Sequence, residues 1–376
     1  MKKKIAIIGA SYLQVPLILK AKEMGIETHC FAWEEGAVGK EFSDFFYPIS
    51  ILNKEEIYVK AASIGIDGIT TIATDMAVPT ICYVSEKLNL ISNSSESASV
   101  STDKSSMRLR FSQFDVLSPA YLEVDFLNED FFKNSFFVKT NFPYIVKPVD
   151  RSGSRGVNKV NDFDELISAV SLACNESFVK KCIIEEYIEG LEVSVETISF
   201  KGVHYLLAVT DKVTTGPPFF VELAHHQPSH FKDDMIDALK METFKALDAL
   251  NIIYGAGHSE FKITKEGRIF IIEVGARMGG DFIGSHLVNL STGYDFLKGV
   301  LDVALGNFEV PQIYSKFNSG IYFLCKETEN IKPFFYKELD FVVERRILDE
   351  KLSNITNSND RSGYLIYKSE QKIILK

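Results

Sequence analysis

Cysteine is too scattered in this chain to support a disulfide framework or a zinc site. The five residues Cys30, Cys82, Cys174, Cys182 and Cys325 are odd in number and never form a C-x-x-C pair. Basic residues are also in deficit, with 41 Lys and Arg against 51 Asp and Glu and a net charge of −10. That argues against a nucleic-acid partner, which requires a basic face. An acidic protein that handles nucleotides must gather its few cations in one place or borrow metal ions. No apolar run approaches the length of a membrane-spanning helix, so no membrane partner is expected. The N-terminal "MKKKIAIIGA" has lysines before an apolar run, but the run is short and a glycine turn follows at once. We read it as a buried first strand, not a signal peptide, and expect a cytoplasmic location.

Two familiar nucleotide signatures are also missing. The turn Gly9-Ala10-Ser11-Tyr12-Leu13-Gln14 keeps only the first glycine of G-x-G-x-x-G, so it reads first as a strand-to-helix turn that the fold requires. In "YIVKPVDRSGSRGVNKV" a lysine, Lys147, precedes a loop of small and polar residues, whereas a P-loop carries its lysine after the last glycine. The stretch reads as strand, loop, strand.

At 376 residues the chain is long enough for two or three units with real cores. "KIAIIGAS", "IETHCFAW" and "DGITTIAT" are strand-like and alternate with the helical "YLQVPLILKAKEMG" and "KEEIYVKAASIG", which predicts a parallel α/β unit over roughly the first 90 residues. The Ser-rich "SNSSESASVSTDKSS" reads as a linker ending in a helix cap. Beyond it lie hairpin-like strands, an amphipathic "NDFDELISAVSLAC" capped by Asn161 or Asp162, and a long helix in "KDDMIDALKMETFKALDALNI". Short strands around "FNSGIYFLCKE" and "SGYLIYK" mark a β-rich end.

The most informative geometry is in "HSEFKITKEGRIFIIEVGARMGGDFIG". If Glu266-Gly267 is a two-residue hairpin loop, Lys265 faces Arg268, and counting outward sets Glu260 opposite Glu273. Like charges so placed repel. A divalent cation would reverse that sign, since magnesium is held by one or two carboxylates plus phosphate oxygens. A pair splayed into water is the bland alternative. His258 shares the face of Glu260 by strand alternation. Arg277, between the glycines of "GARMGG", adds the guanidinium that a phosphoryl-transfer site would use.

In order and spacing, "IVKP" with its Ser/Gly loop, "IIEEYIEGLEVSVE" and "HSEFKI…IIEVGARMGG" resemble the ATP-grasp superfamily of carboxylate–amine ligases. The form "EVGAR" is most similar to the L-amino-acid (dipeptide) ligase and carbamoyl-phosphate-synthase-like branch. The resemblance implies an α/β protein, α+β in its ligase core, with an N-terminal Rossmann-like parallel sheet followed by a two-lobed ATP-grasp fold. Its units would be 1–97, an ATP-grasp domain over 98–310 (a lid lobe 98–188, a metal and substrate lobe 189–310), and a β-rich subdomain over 311–376. It further implies that Lys104 and Lys147 hold ATP phosphates, with the loop Ser152, Gly153, Ser154 and Gly156 closing over them. Glu185 and the backbone of Glu186, Tyr187 and Ile188 would meet adenine, and Glu192 the ribose. Glu260 and Glu273 would ligate Mg2+ (or Mn2+), and Arg277 would bind the carboxylate and its acyl phosphate. Many members place Asn two residues after the second metal glutamate; this chain has Gly275. Arg108, Arg151 and Arg155 read equally well as surface charges.

The implied activity is ATP-dependent, ADP-forming ligation of a small-molecule carboxylate to an amine, with amino acids or peptides as the first candidates and a homodimer as one allowed state. His258 would orient substrate, and His225 and His226 could line the acceptor pocket. Two alternatives stay open: a bicarbonate- or ribonucleotide-using enzyme of the same superfamily, and an ATP-binding regulatory protein without turnover. No Ser/His/Asp or Cys/His nucleophile pattern is evident, and the ligation chemistry needs none.

Overall fold

The computed structural model describes residues 2–125, 142–314 and 317–375. Of the expected lid lobe, residues 126–141 lie outside the described residues. The first unit alternates strand and helix: β1 (Lys4–Ile8), α1 (Val15–Glu23), β2 (Glu27–Phe31), β3 (Phe45–Tyr47), α2 (Lys54–Ile64), β4 (Gly68–Thr70) and α3 (Val78–Leu88). The four strands form a parallel sheet in the order β3-β2-β1-β4. The turn after β1 is held by Gln14, whose side chain accepts from the Ser11 amide (2.9 Å) and donates to the Ile72 carbonyl (2.7 Å).

The Ser-rich stretch read as a linker is mostly helix: α4 (Ser95–Thr102) leads through Asp103 into α5 (Lys104–Gln113). Composition misled here because the serines are anchored. Ser94 caps α4, and the buried Ser97 hydroxyl donates to the Leu250 carbonyl at 2.8 Å. Asp103 accepts from the Ser106 amide and caps α5, which starts at Lys104.

A second sheet, antiparallel in the order β5-β8-β6-β7, holds β5 (Tyr121–Asp125), β6 (Tyr144–Pro148), β7 (Asn158–Val160) and β8 (Lys181–Glu186). Helix α6 (Phe163–Glu176), capped by Asp162, packs on it through Leu166, Val170 and Ala173. The third sheet has eight strands: β9 (Leu191–Phe200), β10 (Val203–Thr214), β11 (Glu222–Gln227), β12 (Gly255–Ile263), β13 (Ile269–Gly275), β14 (Asn318–Leu324), β15 (Val342–Ile347) and β16 (Gly363–Ser369). Their order is β13-β12-β9-β10-β11-β14-β16-β15, so the β-rich end of the chain pairs onto the sheet through β11 and β14. Helix α7 (Asp233–Ala249) buries Leu239, Ala246 and Leu247 against that sheet together with Phe111 of α5. Helix α8 (Phe296–Leu305) joins the core of the first unit and packs the parallel sheet onto the large one. Among the described residues no helix is long and apolar enough to cross a membrane.

The β12–β13 hairpin departs from the sequence expectation in an instructive way. The Thr264 amide donates to the Arg268 carbonyl (3.0 Å), which leaves a three-residue loop ending at Gly267, where φ is +80°. Pairing therefore starts one residue out of the expected register, as Ile263–Ile269 and Phe261–Ile271. A bulge at Ile272 restores the count, and Glu260 lies opposite Glu273. Two one-residue shifts cancel.

Candidate active site

A cleft of about 180 Å³ opens between the sheet carrying β6 and β8 and the sheet carrying β12 and β13. Its walls bring together residues that lie far apart in the chain. Lys104, Lys147, Ser152, Gly153, Ser154, Glu185, Glu186, Tyr187, Ile188, Glu192, His258, Glu260, Glu273 and Arg277 all line it. Gly156 does not line it; it stands at the far end of the loop with φ +70°, packed against Pro148.

The floor on the β6–β8 side is a buried ion triad. Lys147 Nζ lies 2.7 Å from Glu185 Oε2, and Arg108 Nε lies 2.8 Å from Glu185 Oε1. Arg108 is wholly buried, and its guanidinium also donates to the Ile272 carbonyl at the hairpin bulge. Its reading as a surface charge is therefore corrected. A helical Arg is exposed only if its face of the helix is, and α5 turns Met107, Arg108 and Phe111 inward. Burial works against the Glu185 charge, yet Arg108 and Lys147 hold its pKa below the usual carboxylate value. Burial lowers the Lys147 pKa, against the pull of Glu185. The Glu185 carboxylate is thus engaged in holding Lys147.

Lys104 begins α5 and bridges the two walls. Its Nζ donates to the Arg151 carbonyl at the root of the glycine loop (2.6 Å) and pairs with Glu273 Oε1 at 3.0 Å. The loop itself carries Gly153, Ser154 and Gly156 at positive φ, so its amides sweep around a concave path. The Arg151 guanidinium stacks over Phe178 at 3.7 Å, and Arg155 is exposed.

On the large sheet, Lys212 of β10 is the hub that sequence reading missed. It lies 2.8 Å from Glu260, 2.9 Å from Glu192 and 3.4 Å from Glu222. Burial opposes its charge, but the three carboxylates push its pKa well above the usual lysine value. Burial likewise opposes the charge of Glu260, whose pKa Lys212 and His258 nevertheless hold well below normal. The signal was available: Lys212 sits in a strand-like "LLAVTDKVTT", where an inward-facing charge needs a partner. Lys262 adds a second cation on Glu192 at 3.0 Å.

His258 is likewise locked. Its Nδ1 lies 2.5 Å from Glu196 and its Nε2 lies 3.2 Å from Glu260. Burial disfavours its charge, but Glu196 and Glu260 win and raise the pKa to about 9. The ring is charged at neutral pH and acts as a donor. Arg277 pairs at 2.8 Å with Asp75 of the first unit.

A second cavity, of about 300 Å³, adjoins the cleft through Lys212, His258, Glu260 and Arg277. His225 lines it, 3.6 Å from Asp281. His226, next along β11, points to the opposite face, where its Nδ1 meets the Tyr367 hydroxyl at 2.9 Å. That placement removes His226 from the acceptor pocket. Burial pushes its pKa down to about 3. The unfolded chain therefore takes up a proton near the ordinary histidine pKa of about 6.5 while the folded one does not. Stability held above that pH is expected to fall on acidification toward 3, and His226→Gln should flatten this part of the slope in urea unfolding measured across that range. An unchanged slope would show that His226 titrates normally.

Tertiary packing also creates a hydroxyl–imidazole–carboxylate chain invisible in the sequence. Ser199 Oγ lies 2.7 Å from His204 Nδ1, and His204 Nε2 lies 3.1 Å from Asp248. Ser199 is wholly buried, and the ring presents the opposite nitrogen to the one a hydrolytic triad uses. It is a structural brace.

Comparison with known proteins agrees with this architecture. Residues 140–285 match the family model described as an ATP-grasp domain. The carbamoyl phosphate synthase large chain of Caldanaerobacter subterraneus subsp. tengcongensis is 24% identical over 311 residues, covering 80% of this chain and 28% of that one. An alanine–anticapsin ligase of Bacillus subtilis is 26% identical over 248 residues, covering 60% of this chain and 51% of the ligase. The chain thus spans about half or less of the length of these relatives. Among solved structures, an L-amino acid ligase from Bacillus licheniformis superposes with TM-score 0.81 at 23% identity, covering 98% of this chain and 94% of that one. A phosphoribosylglycinamide synthetase from Anaerococcus prevotii gives 0.77 at 24%, covering 99% and 95%. At these identities the structural likeness is one of fold.

Proposed function

We propose that this chain, whose residues 140–285 match an ATP-grasp domain, is an ATP- and Mg2+-dependent, ADP-forming ligase that joins a small carboxylate, that of an amino acid or peptide, to an amine. The observation that carries the reading is the placement of Glu260 and Glu273 directly opposite each other on β12 and β13, across the cleft from Lys147 and its glycine loop. We divide the roles as the resemblance suggests, along units 1–97, 98–310 and 311–376, in a cytoplasmic protein.

The residues present fit a divalent cation of the magnesium type. No group of three or more His, Cys, Asp or Glu among the described residues forms a ready-made cage. Magnesium does not need one, because one or two carboxylates suffice when phosphate oxygens and water complete the shell. Glu260 and Glu273 are such a pair, and manganese would suit the same oxygens. When bound, the cation would neutralise phosphate charge and polarise the transferred group.

The protein's own residues do the rest. Lys104 and Lys147 hold phosphate oxygens from two walls, and the Ser152–Gly156 loop closes over them by its amides. The Glu186 and Tyr187 amides already donate to Ala120 and Pro143, so the Ile188 amide would be the donor to adenine from this stretch and backbone carbonyls of the same segment the acceptors. Glu192, fixed between Lys212 and Lys262, presents a carboxylate to the ribose hydroxyls. The substrate carboxylate oxygen attacks the γ-phosphorus, and the bond from that phosphorus to the β–γ bridging oxygen breaks, releasing ADP. Arg277 stabilises the acyl phosphate. The amine nitrogen then attacks the acyl carbon, phosphate leaves, and the amine loses a proton. His258, charged and tied through both ring nitrogens to Glu196 and Glu260, orients substrate by its charge.

The test is ADP release from ATP and Mg2+ against a panel of carboxylates, each with and without amines. The expected result is release that requires an amino-acid carboxylate and rises with an amine. Release that depends on bicarbonate would replace this reading with the carboxylase type. Tight ATP binding with no release above background hydrolysis would make the protein a nucleotide-binding regulator.

A further inference from the structure

The first unit does more than support the cleft. Its segment after β4 lies on the loop that carries Arg277: Ile72 bridges Met278, and the Ala73 amide donates to the Met278 carbonyl at 3.1 Å. Asp75 follows and places Oδ2 2.8 Å from Arg277 Nη2. Both side chains are largely buried, at 16% and 14% exposure, and both line the second cavity. Asp75 Oδ1 and Arg277 Nε are buried with no protein partner.

Gly275 lies directly beneath this pair. A β-carbon there would come within 2.7 Å of Asp75 Oδ1 and 3.0 Å of Arg277 Cζ. Real β-carbons do not approach to 2.7 Å, and the Gly275 backbone is ordinary strand, so a side chain here would displace the Asp75 carboxylate and glycine serves for space and not for φ. The missing side chain at 275 and the carboxylate at 75 are two halves of one arrangement.

We infer that Asp75 is a positioning residue for Arg277, supplied by the N-terminal unit, and that Gly275 is the residue that admits it. The physical need is clear from the surroundings. Arg277 is attracted by Glu273 and Glu260 as well as by Asp75. Without Asp75 the guanidinium collapses toward those two carboxylates and quenches both. Asp75 holds it at Nη2 and Met278 at Nη1, and the Nε donor, which has no protein partner, stays available to an anion in the cleft. The substrate carboxylate is therefore aligned by a contact between the first unit and the ATP-grasp core.

The inference rests on the ligase reading for its kinetic test but not for its structural one. Using the amino acid that gives the fastest ADP release in the panel above, Asp75→Ala is expected to raise the KM for that carboxylate about tenfold while the ATP dissociation constant stays within about twofold. Asp75→Asn keeps the shape and is expected to show the same split, which covers a folding failure of the alanine variant. Gly275→Ala alone should cost about tenfold in kcat/KM, and adding it to Asp75→Ala should cost less than about twofold more. An unchanged carboxylate KM in both Asp75 variants, or additive losses of about a hundredfold in the double variant, would overturn the inference. If the native chain turns over no carboxylate, the ligase reading falls by itself. The pairing is then judged on urea unfolding of the same variants, where non-additive shifts support it and additive shifts refute it.

Discussion

Replacing Glu273 with glutamine is expected to abolish ATP turnover, with ADP release falling on the order of a thousandfold or more. Glutamine keeps an oxygen at the position opposite Glu260 but removes the charge that a hard divalent cation requires. It also deprives Lys104 of its 3.0 Å partner, leaving a buried ammonium held only by the Arg151 carbonyl. The freed Lys104 should still hold phosphate, so binding of a non-hydrolysable ATP analogue in EDTA is expected to survive. Steady-state ADP release with saturating Mg2+ decides the matter, and full activity in Glu273→Gln would refute the metal assignment.

Lys212→Met is expected to produce the largest loss of stability, roughly 3–5 kcal/mol, because it removes one partner of a buried charge cluster. Glu192, Glu222 and Glu260 all lie within 3.4 Å of that ammonium. Lys262 still pairs with Glu192 and Arg361 with Glu222, so the main burden falls on Glu260. The pH dependence carried by Glu260 should weaken. In the native protein the Glu260 pKa is depressed, so its contribution is present above the ordinary carboxylate pKa of about 4.3 and is lost as pH falls through the lower folded value. In the variant Glu260 keeps only His258 and would bind a proton more readily than in the native fold, so the deficit should shrink on acidification toward pH 5. Urea unfolding at pH 8 and pH 5, in EDTA and in Mg2+, reads both effects. A loss below about 1 kcal/mol would show that the cluster is hydrated and not a buried network.

Where sequence and structure differ, the reasons are local and physical. The Glu260–Glu273 pairing was legible, but the turn that leads to it was not. A Gly-containing loop of two or three residues looks the same in sequence, and the bulge that restores register at Ile272 has no side-chain signature. The Ser-rich stretch looked like a linker because helix propensity and composition were weighed without its anchor, the Leu250 carbonyl that receives Ser97. Arg108 looked like a surface charge because a single arginine in a helix carries no record of which face will be covered. His225 and His226 were adjacent candidates, and strand alternation separates them only once β11 is seen to be covered on both faces.

The sequence by itself determined the ordered chemistry: lysine before a glycine loop, glutamates on the two strands of one hairpin, and arginine among glycines. These depend on residue type and on spacing within one element or one hairpin, where periodicity transmits geometry over a few residues. Only the tertiary structure decided how those charges are paired. Lys212, Arg108 and Asp75 come from strands and helices far from the motifs they serve, and burial turns each from a solvated ion into an obligatory partner. Pairing across sheets has no period to read, because it is set by which surfaces exclude water once the lobes meet.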